Sequence, residues 1–474
     1  MDVTAEVSAR IRDIFAEAEV ARVVSALRDG AGDGNGDGGG AVSDGGSDSA
    51  GVVLNGDKEG AEINSGGGDD NGGGDVLRLV GGTVRDIILG RELGDERDFA
   101  TPLLPDEVEE RLKSADIQTL TMGKDHGTIT AVLQTTNGHR HLEITTLRED
   151  IETDGRHARV RYTRDWRMDS CRRDFTINAL YADAAGRVYD FHGGLEDLAA
   201  RRVCFVGDAA ARIREDYLRV LRFYRFSALM GDFGGDSSAR SEACAAAVEG
   251  LAGLSGERVW SELRKMLSGE RGWVGALGAM ESDGVLAGIF PPDHLIDDIA
   301  AAAERLYGLE KEVVPTFVEA DSGLFRFASL FELIEDHKGL NLLVKGVSGR
   351  LHLSRRERDY LGDILSPFKV KASDDLLFRR RVYEQGVERV LHWLILLRTR
   401  GVLDDELFGG CVEFLRGWRA VKFPVNGDDL AEALGLGEGP ELGRILRELE
   451  DWWLLRDCEP DRSACLRHAP TLLH

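Results

Sequence analysis

A change of pattern near residue 209 divides this sequence of 474 residues into two parts. Before it, short β-rich runs such as 76–80 alternate with helical patterns, and further strands are predicted at 127–134, 141–147, 178–183 and 202–206. After it, Leu, Ala, Arg and Glu recur at helical spacing, which predicts helices at 209–230, 240–268, 296–312, 322–345, 354–366, 376–400, 404–421 and 441–456. The pattern therefore predicts a part that mixes β and α structure, followed by an all-helical part.

The first 75 residues contain two contrasting segments. Val7, Ile11 and Ile14 follow helical spacing, so we predict one amphipathic helix over residues 5–28. Residues 30–75 contain 18 glycines, ten acidic residues against one lysine, and no aromatic residue. Such a segment cannot bury enough apolar surface to offset the entropy lost on ordering. We expect a flexible acidic insertion without a chemical role.

Charge and cysteine content limit the class of protein. The sequence has 84 acidic and 59 basic residues, a net charge of −25, which argues against a surface built to bind DNA. Its six cysteines are far apart and form no CxxC motif, which disfavours a disulfide framework or a cysteine zinc site and indicates a reducing, cytoplasmic compartment. No targeting segment is recognisable, and no apolar run reaches the ~18 residues of a membrane span, so we predict a soluble protein without a membrane partner.

Candidate chemistry begins directly after the first β-rich run. Gly81 and Gly82 open a helix there, an arrangement that lets a phosphate approach backbone N–H groups, while a simple tight turn has the same pattern. Glu96 and Asp98 would lie on one face of a strand, and Glu143 belongs to an alternating run that can pair beside it. Three such carboxylates can hold two metal ions for phosphoryl transfer; solvated charge at a strand edge is the alternative.

Two arginine-rich motifs follow. Seven arginines between residues 156 and 173 face two acidic residues, and this positive patch suits phosphate, with a solvated loop as the alternative. The second motif lies on a predicted helix, where Asp216 and Arg219 share a face and Glu215 braces Arg219 from one turn away. An Asp–Arg pair can read the edge of a nucleotide base, whereas a surface ion-pair ladder has the same sequence pattern.

Taken in order, these motifs resemble the class II nucleotidyltransferases, the family of CCA-adding tRNA nucleotidyltransferases and bacterial poly(A) polymerases. The resemblance covers about Leu77 to Ala228. Within it, Gly123–Thr128, Glu143–Ala158 and Asp190–Leu198 are similar to the CCA-adding branch.

The resemblance implies a role for each matching residue. Gly81, Gly82 and Arg85 match the nucleotide-binding GG-x-VRD motif, and Glu96 and Asp98 occupy the metal-binding DxD positions. Arg172, Arg173, Asp174 and Asn178 match RRDxxxN, which contacts the sugar and phosphates of the incoming nucleotide. Glu215, Asp216 and Arg219 match EDxxR, whose Asp and Arg pair with the base of CTP or ATP, and Arg222 follows as a further nucleotide-binding residue. The segment Asp154–Arg156 matches the flexible hinge associated with switching from C to A.

The implied fold is α+β, with a mixed-sheet nucleotidyltransferase head followed by a helical neck, body and tail. We expect the N-terminal helix at 1–29, the insertion at 30–75, the head at 76–206, a neck for base and RNA at 207–300, and a body and tail for the tRNA acceptor arm at 301–474. The implied reaction is template-independent addition of CCA to tRNA from CTP and ATP, with Mg²⁺ held by Glu96 and Asp98 and with Glu143 as a third catalytic carboxylate. The alternatives are poly(A) addition, addition of CC or A alone, and a catalytically weak tRNA-binding homologue.

One residue departs from the family pattern. The first metal position is Asp in the family and Glu96 here, with Asp95 one residue earlier. Because Mg²⁺ requires near-ideal octahedral geometry, the longer Glu96 ligates through an adjusted rotamer, Asp95 replaces it through a local bulge, or the site is slow.

Overall fold

The chain is described here by a computed structural model that covers residues 4–29, 76–135, 138–153, 158–233, 238–313, 322–333, 336–366, 370, 372, 375–419, 421–437 and 439–473. The expected insertion at 30–75 and the expected hinge at 154–156 lie outside these residues. Two compact units are present, Met1–Ala252 and Gly253–His474. Their boundary falls inside the segment 207–300 that we assigned to the neck, and the finer domain boundaries stay a prediction.

A mixed sheet forms the centre of the first unit. The strands of this unit are β1 (Arg78–Val80), β2 (Glu96–Thr101), β3 (Gln118–Leu120), β4 (Thr128–Thr135), β5 (Gly138–Thr146), β6 (Arg148–Thr153), β7 (Ala158–Tyr162), β8 (Leu180–Ala182) and β9 (Val188–Asp190). Seven of them form one sheet in the order β3-β4-β5-β2-β1-β8-β9, and β6 and β7 form a separate hairpin. Strands β2 and β5 are parallel, and the other neighbours in the sheet are antiparallel. The expected mixed-sheet head is thus confirmed.

The first unit also contains helices. They are α1 (Ala5–Ala16), α2 (Ala18–Asp29), α3 (Gly82–Ile88), α4 (Pro105–Ser114), α5 (Trp166–Cys171), α6 (Gly194–Ala199), α7 (Ala209–Glu215), α8 (Leu218–Met230) and α9 (Ser238–Ala245). Helices α3 and α4 pack on the sheet, α1 packs on α3, and α2 packs on α4. The strands supply fully buried side chains to the core, among them Leu79, Phe99 and Ile144.

Three local predictions for this unit were wrong. The N-terminal helix is interrupted at Glu17, whose extended backbone lets α1 and α2 reach different helices of the head. The helix predicted at 209–230 is interrupted between Glu215 and Leu218. Residues 202–206 form no strand, only a bridge from Phe205 to Phe175. Strands β3, β6, β7 and β9 were not predicted.

The second unit is helical, as predicted, but the single helices predicted at 240–268, 322–345 and 376–400 are each interrupted. Its helices are α10 (Gly256–Leu267), α11 (Gly272–Ser282), α12 (Val285–Ile289), α13 (Ile299–Val313), α14 (Ser322–Ala328), α15 (His337–Leu351), α16 (Arg355–Ile364), α17 (Leu376–Gln385), α18 (Val387–Thr399), α19 (Asp405–Gly417), α20 (Gly427–Leu434), α21 (Pro440–Leu454) and α22 (Arg462–His468). In the described part of this unit, β-type pairing is limited to one bridge between Leu295 and Phe331. Fully buried aromatic side chains such as Trp273, Phe325 and Trp393 form its core.

Several arginines of the second unit stabilise its helices internally. Arg380 pairs with Glu450 and Asp451 and so ties α17 to α21. Arg381 lies over the ring of Trp393, 4.1 Å from its centroid.

Short 3₁₀ helices occur at Lys124–His126, Thr176–Asn178, Val248–Gly253, Pro292–His294 and Ala469–Leu472. Across the described ranges, no helix combines the length and apolar character that crossing a membrane requires.

Candidate active site

A cavity of about 400 Å³ in the first unit brings together most of the predicted site residues. The predicted residues that line it are Gly81, Gly82, Arg85, Asp98, Arg172, Arg173, Asp174, Asn178 and Arg222. The predicted residues outside its lining are Glu96, Glu143, Glu215, Asp216 and Arg219. One wall therefore carries a strand carboxylate and the others carry several arginines.

The glycine turn forms one wall of the cavity. Gly81 has φ 65° and ψ −127°, a conformation that glycine adopts without steric cost and other residues do not. Its N–H donates to the Leu180 carbonyl at 3.1 Å, which ties the turn to β8. At the second residue of α3, the Thr83 hydroxyl accepts the backbone N–H of Asp98 at 3.2 Å. The glycine turn and the acidic strand are therefore held side by side.

The acidic strand presents its carboxylates as predicted. Along β2, Glu96 and Asp98 are exposed while Arg97 and Phe99 between and after them are buried. Asp98 lies directly opposite Glu143 in the parallel pairing of β2 with β5. This register runs without a shift from Glu96 to the end of β2, so it contains no bulge that would bring a preceding residue into the first metal position. Asp95 precedes the strand and lies outside this register.

The charges of these carboxylates repel one another. Desolvation by the cavity walls raises the pKa of Asp98 above its ordinary value, opposed by Arg173, and the charge of Glu96 raises it further. Desolvation also raises the pKa of Glu143, with added repulsion from Asp98 and Glu96. A bound divalent cation would relieve this repulsion.

The carboxylates fit a cation that takes some of its ligands from the protein and the others from the substrate. Among the residues that the structure describes, no three His, Cys, Asp or Glu side chains form a ready-made metal site. Mg²⁺ characteristically uses one or two protein carboxylates and completes its octahedron with phosphate oxygens and water. Glu96 and Asp98, with Glu143 opposite, supply carboxylates of this kind.

A fully buried carboxylate, Asp169, orients both arginines of the RRDxxxN motif. Its Oδ1 accepts hydrogen bonds from Arg172 Nε at 2.8 Å and from the backbone N–H of Arg148 at 3.1 Å. Its Oδ2 accepts from Arg173 Nη2 at 3.1 Å and from the Tyr181 hydroxyl at 2.6 Å. Burial opposes ionisation, yet the two guanidinium charges and these hydrogen bonds hold the pKa of Asp169 well below its ordinary value.

Asp169 is one of the two acidic residues among the seven arginines of the patch, and sequence composition alone indicates no further role for it. Its spacing of three and four residues from Arg172 and Arg173 was the available signal, because such residues are neighbours on a helical turn.

A chain of hydrogen bonds connects two motifs and Arg222 across the cavity. Arg85 Nη1 donates to Asn178 Oδ1 at 2.7 Å, and Asn178 Nδ2 donates to Asp174 Oδ1 at 3.2 Å. The other oxygen of Asp174 accepts from Arg222 Nε at 2.6 Å. Burial alone would raise the pKa of Asp174, but the Arg222 charge and these hydrogen bonds hold it below its ordinary value. The chain fixes α3, the turn at 176–178 and α8 relative to one another.

The EDxxR motif lies at the break between two helices. Glu215 ends α7 and forms an ion pair with Arg219, as predicted. Asp216 has an extended backbone, and its Oδ1 accepts the N–H of Leu218 at 3.1 Å, which caps the first turn of α8. The break, which the helical spacing did not predict, places Asp216 and Arg219 on different local structures.

Arg212 is a further residue that the sequence analysis did not single out. It pairs with Glu215, and its carbonyl accepts from Arg219 Nη1 at 2.7 Å. Its Nη2 donates to the carbonyl of Arg173 at 2.9 Å and also to that of Arg172. Arg212 thereby joins the EDxxR motif to the RRDxxxN loop, a contact between residues about 40 positions apart that no local pattern reveals.

The rest of the arginine patch divides into paired and exposed residues. Arg161 pairs with Glu149 across the β6–β7 hairpin at 2.9 Å. Arg164 and Arg167 are exposed. Arg156 lies outside the described part of the chain, as does the side chain of Arg159.

Comparison with known proteins identifies the family. Residues 77–204 match the model of the poly(A) polymerase head domain. The chain is 36% identical to CCA tRNA nucleotidyltransferase 1, mitochondrial, of Danio rerio, over 80% of this chain and 83% of that protein. It is 30% identical to the CCA-adding enzyme of Lactococcus lactis, over 83% of this chain and 93% of that protein.

The fold is shared with a solved structure as well. The CCA-adding enzyme of Bacillus stearothermophilus in complex with CTP has a TM-score of 0.62 and 24% sequence identity, and the match covers 83% of this chain and 92% of that chain. Identity over most of both curated relatives, together with this common fold, places the chain in the family of CCA-adding tRNA nucleotidyltransferases.

Proposed function

We propose that this protein adds C, C and A in order to the 3′ end of tRNA, using CTP and ATP and releasing pyrophosphate. The observation that carries the proposal is the cavity in which Asp98, opposite Glu143, faces Arg85, Arg172 and Arg173. Carboxylates for a metal and arginines for phosphate are the two groups that nucleotidyl transfer needs. The family's named activity supplies the identity of the substrates.

Each predicted nucleotide-binding residue receives a role in this proposal. Gly81, Gly82 and Arg85 approach the phosphates, and Arg172 and Arg173 bind them while Asp169 holds both guanidinium groups in place. Asp174 and Asn178 contact the sugar, and Asp216 and Arg219 contact the base. Glu215 forms an ion pair with Arg219, and Arg222 donates a hydrogen bond to Asp174.

We assign Mg²⁺ to Glu96 and Asp98, with Glu143 beside them. When bound, the metal supplies activation of the tRNA 3′-hydroxyl and neutralisation of charge at the α-phosphate. The carboxylates would hold it, and the arginines would orient the triphosphate toward the tRNA 3′-hydroxyl. No side chain acting as a general base is required.

We further propose that the helices beyond the head, which we assigned from the sequence to a neck, body and tail, bind the acceptor arm of tRNA.

All six cysteines are free, which supports a reducing compartment such as the cytoplasm. The Danio rerio relative is named as mitochondrial.

Product length on a tRNA that lacks its CCA end tests the proposal. We expect CTP alone to add two residues, ATP alone to add none, and both together to complete the triplet. A long product with ATP alone would indicate a poly(A) polymerase, and addition of only CC or only A would indicate a partial enzyme. Binding of tRNA without any incorporation would refute nucleotidyl transfer.

A further inference from the structure

Arg148 lines the same cavity but belongs to none of the assigned motifs. It begins β6, at the root of the β6–β7 hairpin, where it pairs with Tyr162. Its backbone N–H donates to Asp169, the carboxylate that also holds Arg172 and Arg173. The backbone of Arg148 is therefore fixed by the same group that orients the arginines assigned to phosphate.

The guanidinium of Arg148 has donors without acceptors. Its Nε and Nη1 are buried and have no hydrogen-bond partner among the described residues. The ion pair from Nε to Asp150 Oδ1 spans 3.9 Å, which is beyond hydrogen-bond distance. Buried N–H groups of a charged side chain destabilise a protein unless an acceptor is supplied.

The charge balance around Arg148 is also incomplete. Burial lowers its pKa to about 10, the neighbouring charge of Arg172 lowers the pKa as well, and Asp150 and Asp169 oppose these effects. The side chain therefore stays positive at neutral pH, in surroundings that favour the arrival of an anion.

We propose that Arg148 is a further phosphate-binding residue, whose guanidinium donates to the triphosphate of the incoming nucleotide. The planar fork of arginine suits two phosphate oxygens. The triphosphate is the source of these oxygens, because Arg148 shares the cavity with the glycine turn and with Arg172 and Arg173. The inference rests on the proposed nucleotidyl transfer and adds a substrate-binding residue to it.

Three variants of the full chain test this role. Arg148→Met removes the donors and keeps an unbranched side chain, Arg148→Lys keeps the charge without the fork, and Arg202→Gln is the control. Arg202 pairs with Glu196 and Asp197 and does not line the cavity. Equilibrium binding of CTP, ATP and inorganic tripolyphosphate is measured with Mg²⁺ and without tRNA.

We expect Arg148→Met to weaken binding of all three probes by roughly 10- to 100-fold, the range for loss of charged hydrogen bonds. Arg148→Lys should recover part of the affinity, and Arg202→Gln should bind as the wild type does. The melting temperature of Arg148→Met should equal or exceed that of the wild type, because the variant removes buried donors that lack partners.

Unchanged affinity of Arg148→Met for CTP would overturn the inference. A lower melting temperature with unchanged affinity would assign Arg148 a structural role instead. Binding of tRNA alone is measured separately, and a loss confined to it would show that the phosphate comes from RNA, which also overturns the triphosphate assignment. Since these binding measurements need no turnover, failure of the wild type to extend tRNA would refute the proposed function separately.

Discussion

Replacing Asp169 by Asn tests how the cavity is built. The carboxylate accepts four hydrogen bonds, two on each oxygen, and the NH₂ of an Asn can accept none, so two donors lose their acceptor in either orientation. Arg172 and Arg173 also lose their counter-charge. Removing one partner of a buried ion pair costs about 3–5 kcal/mol. At about 2–4 °C per kcal/mol for a unit of this size, the melting temperature should fall by roughly 6–20 °C.

Asp183 offers a matched control. It is fully buried, accepts four hydrogen bonds and pairs with Arg187, yet it does not line the cavity. Arg187 is mostly exposed, so water can solvate it once the carboxylate is gone. Asp183→Asn should therefore lower the melting temperature by less than Asp169→Asn and leave CTP affinity unchanged, while Asp169→Asn weakens CTP binding because Arg172 and Arg173 lose their orientation.

The assay combines thermal unfolding with CTP binding well below both melting temperatures. Because the folded pKa of Asp169 is lowered, its stabilisation is present above the unfolded pKa of about 3.9 and is lost as pH falls toward the folded value. Acidification should thus destabilise the wild type more than Asp169→Asn. If Asp169→Asn kept its CTP affinity, or if Asp183→Asn lost affinity equally, the assigned role of Asp169 would be refuted.

Three further variants address separate features of the site. Asp216→Ala should reduce the discrimination between CTP and ATP in single-nucleotide incorporation and cost at most about 1 kcal/mol of stability, the value of one helix cap; equal loss with both nucleotides would contradict base reading. Arg212→Gln should lower kcat/KM for both nucleotides by roughly tenfold, since about 1.4 kcal/mol of positioning is lost, and unchanged kinetics would exclude Arg212 as a positioning residue. Mg²⁺ should raise the melting temperature of the wild type, and Asp98→Asn should abolish that rise. Because the pKa values of Asp98 and Glu143 are raised, metal-free wild type should gain stability as pH falls through those values, and Asp98→Asn should gain less; a similar Mg²⁺ response in both proteins would remove Asp98 from the metal site.

Sequence patterns predicted the parts of the site that depend on short-range order. The alternation around Glu96 and Asp98 identified one strand face, and the run around Glu143 identified its neighbour, because side chains alternate between the faces of a strand. The bracing of Arg219 by Glu215 followed from helical spacing. Resemblance to a family then gave these residues their order and chemistry.

Tertiary contacts decided the features that the sequence did not reveal. Helical spacing continues through Asp216, but its side chain caps the next helix and the backbone is extended there. The segment 202–206 has the composition of a strand, yet it pairs with the loop at 174–176 and not with the sheet. Asp169 lies on α5 and depends on Tyr181, which lies on strand β8.

Incorporation of labelled CTP and ATP into tRNA lacking its CCA end, with Mg²⁺, tests the central claim most directly when Glu96→Ala, Asp98→Ala and Asp95→Ala are compared with the wild type. We expect ordered addition of C, C and A by the wild type and by Asp95→Ala. Glu96→Ala and Asp98→Ala should each lose roughly 100-fold or more in rate, since a metal contributes several kcal/mol to the transition state. Absence of incorporation by the wild type, or full activity of Glu96→Ala beside an inactive Asp95→Ala, would contradict the account.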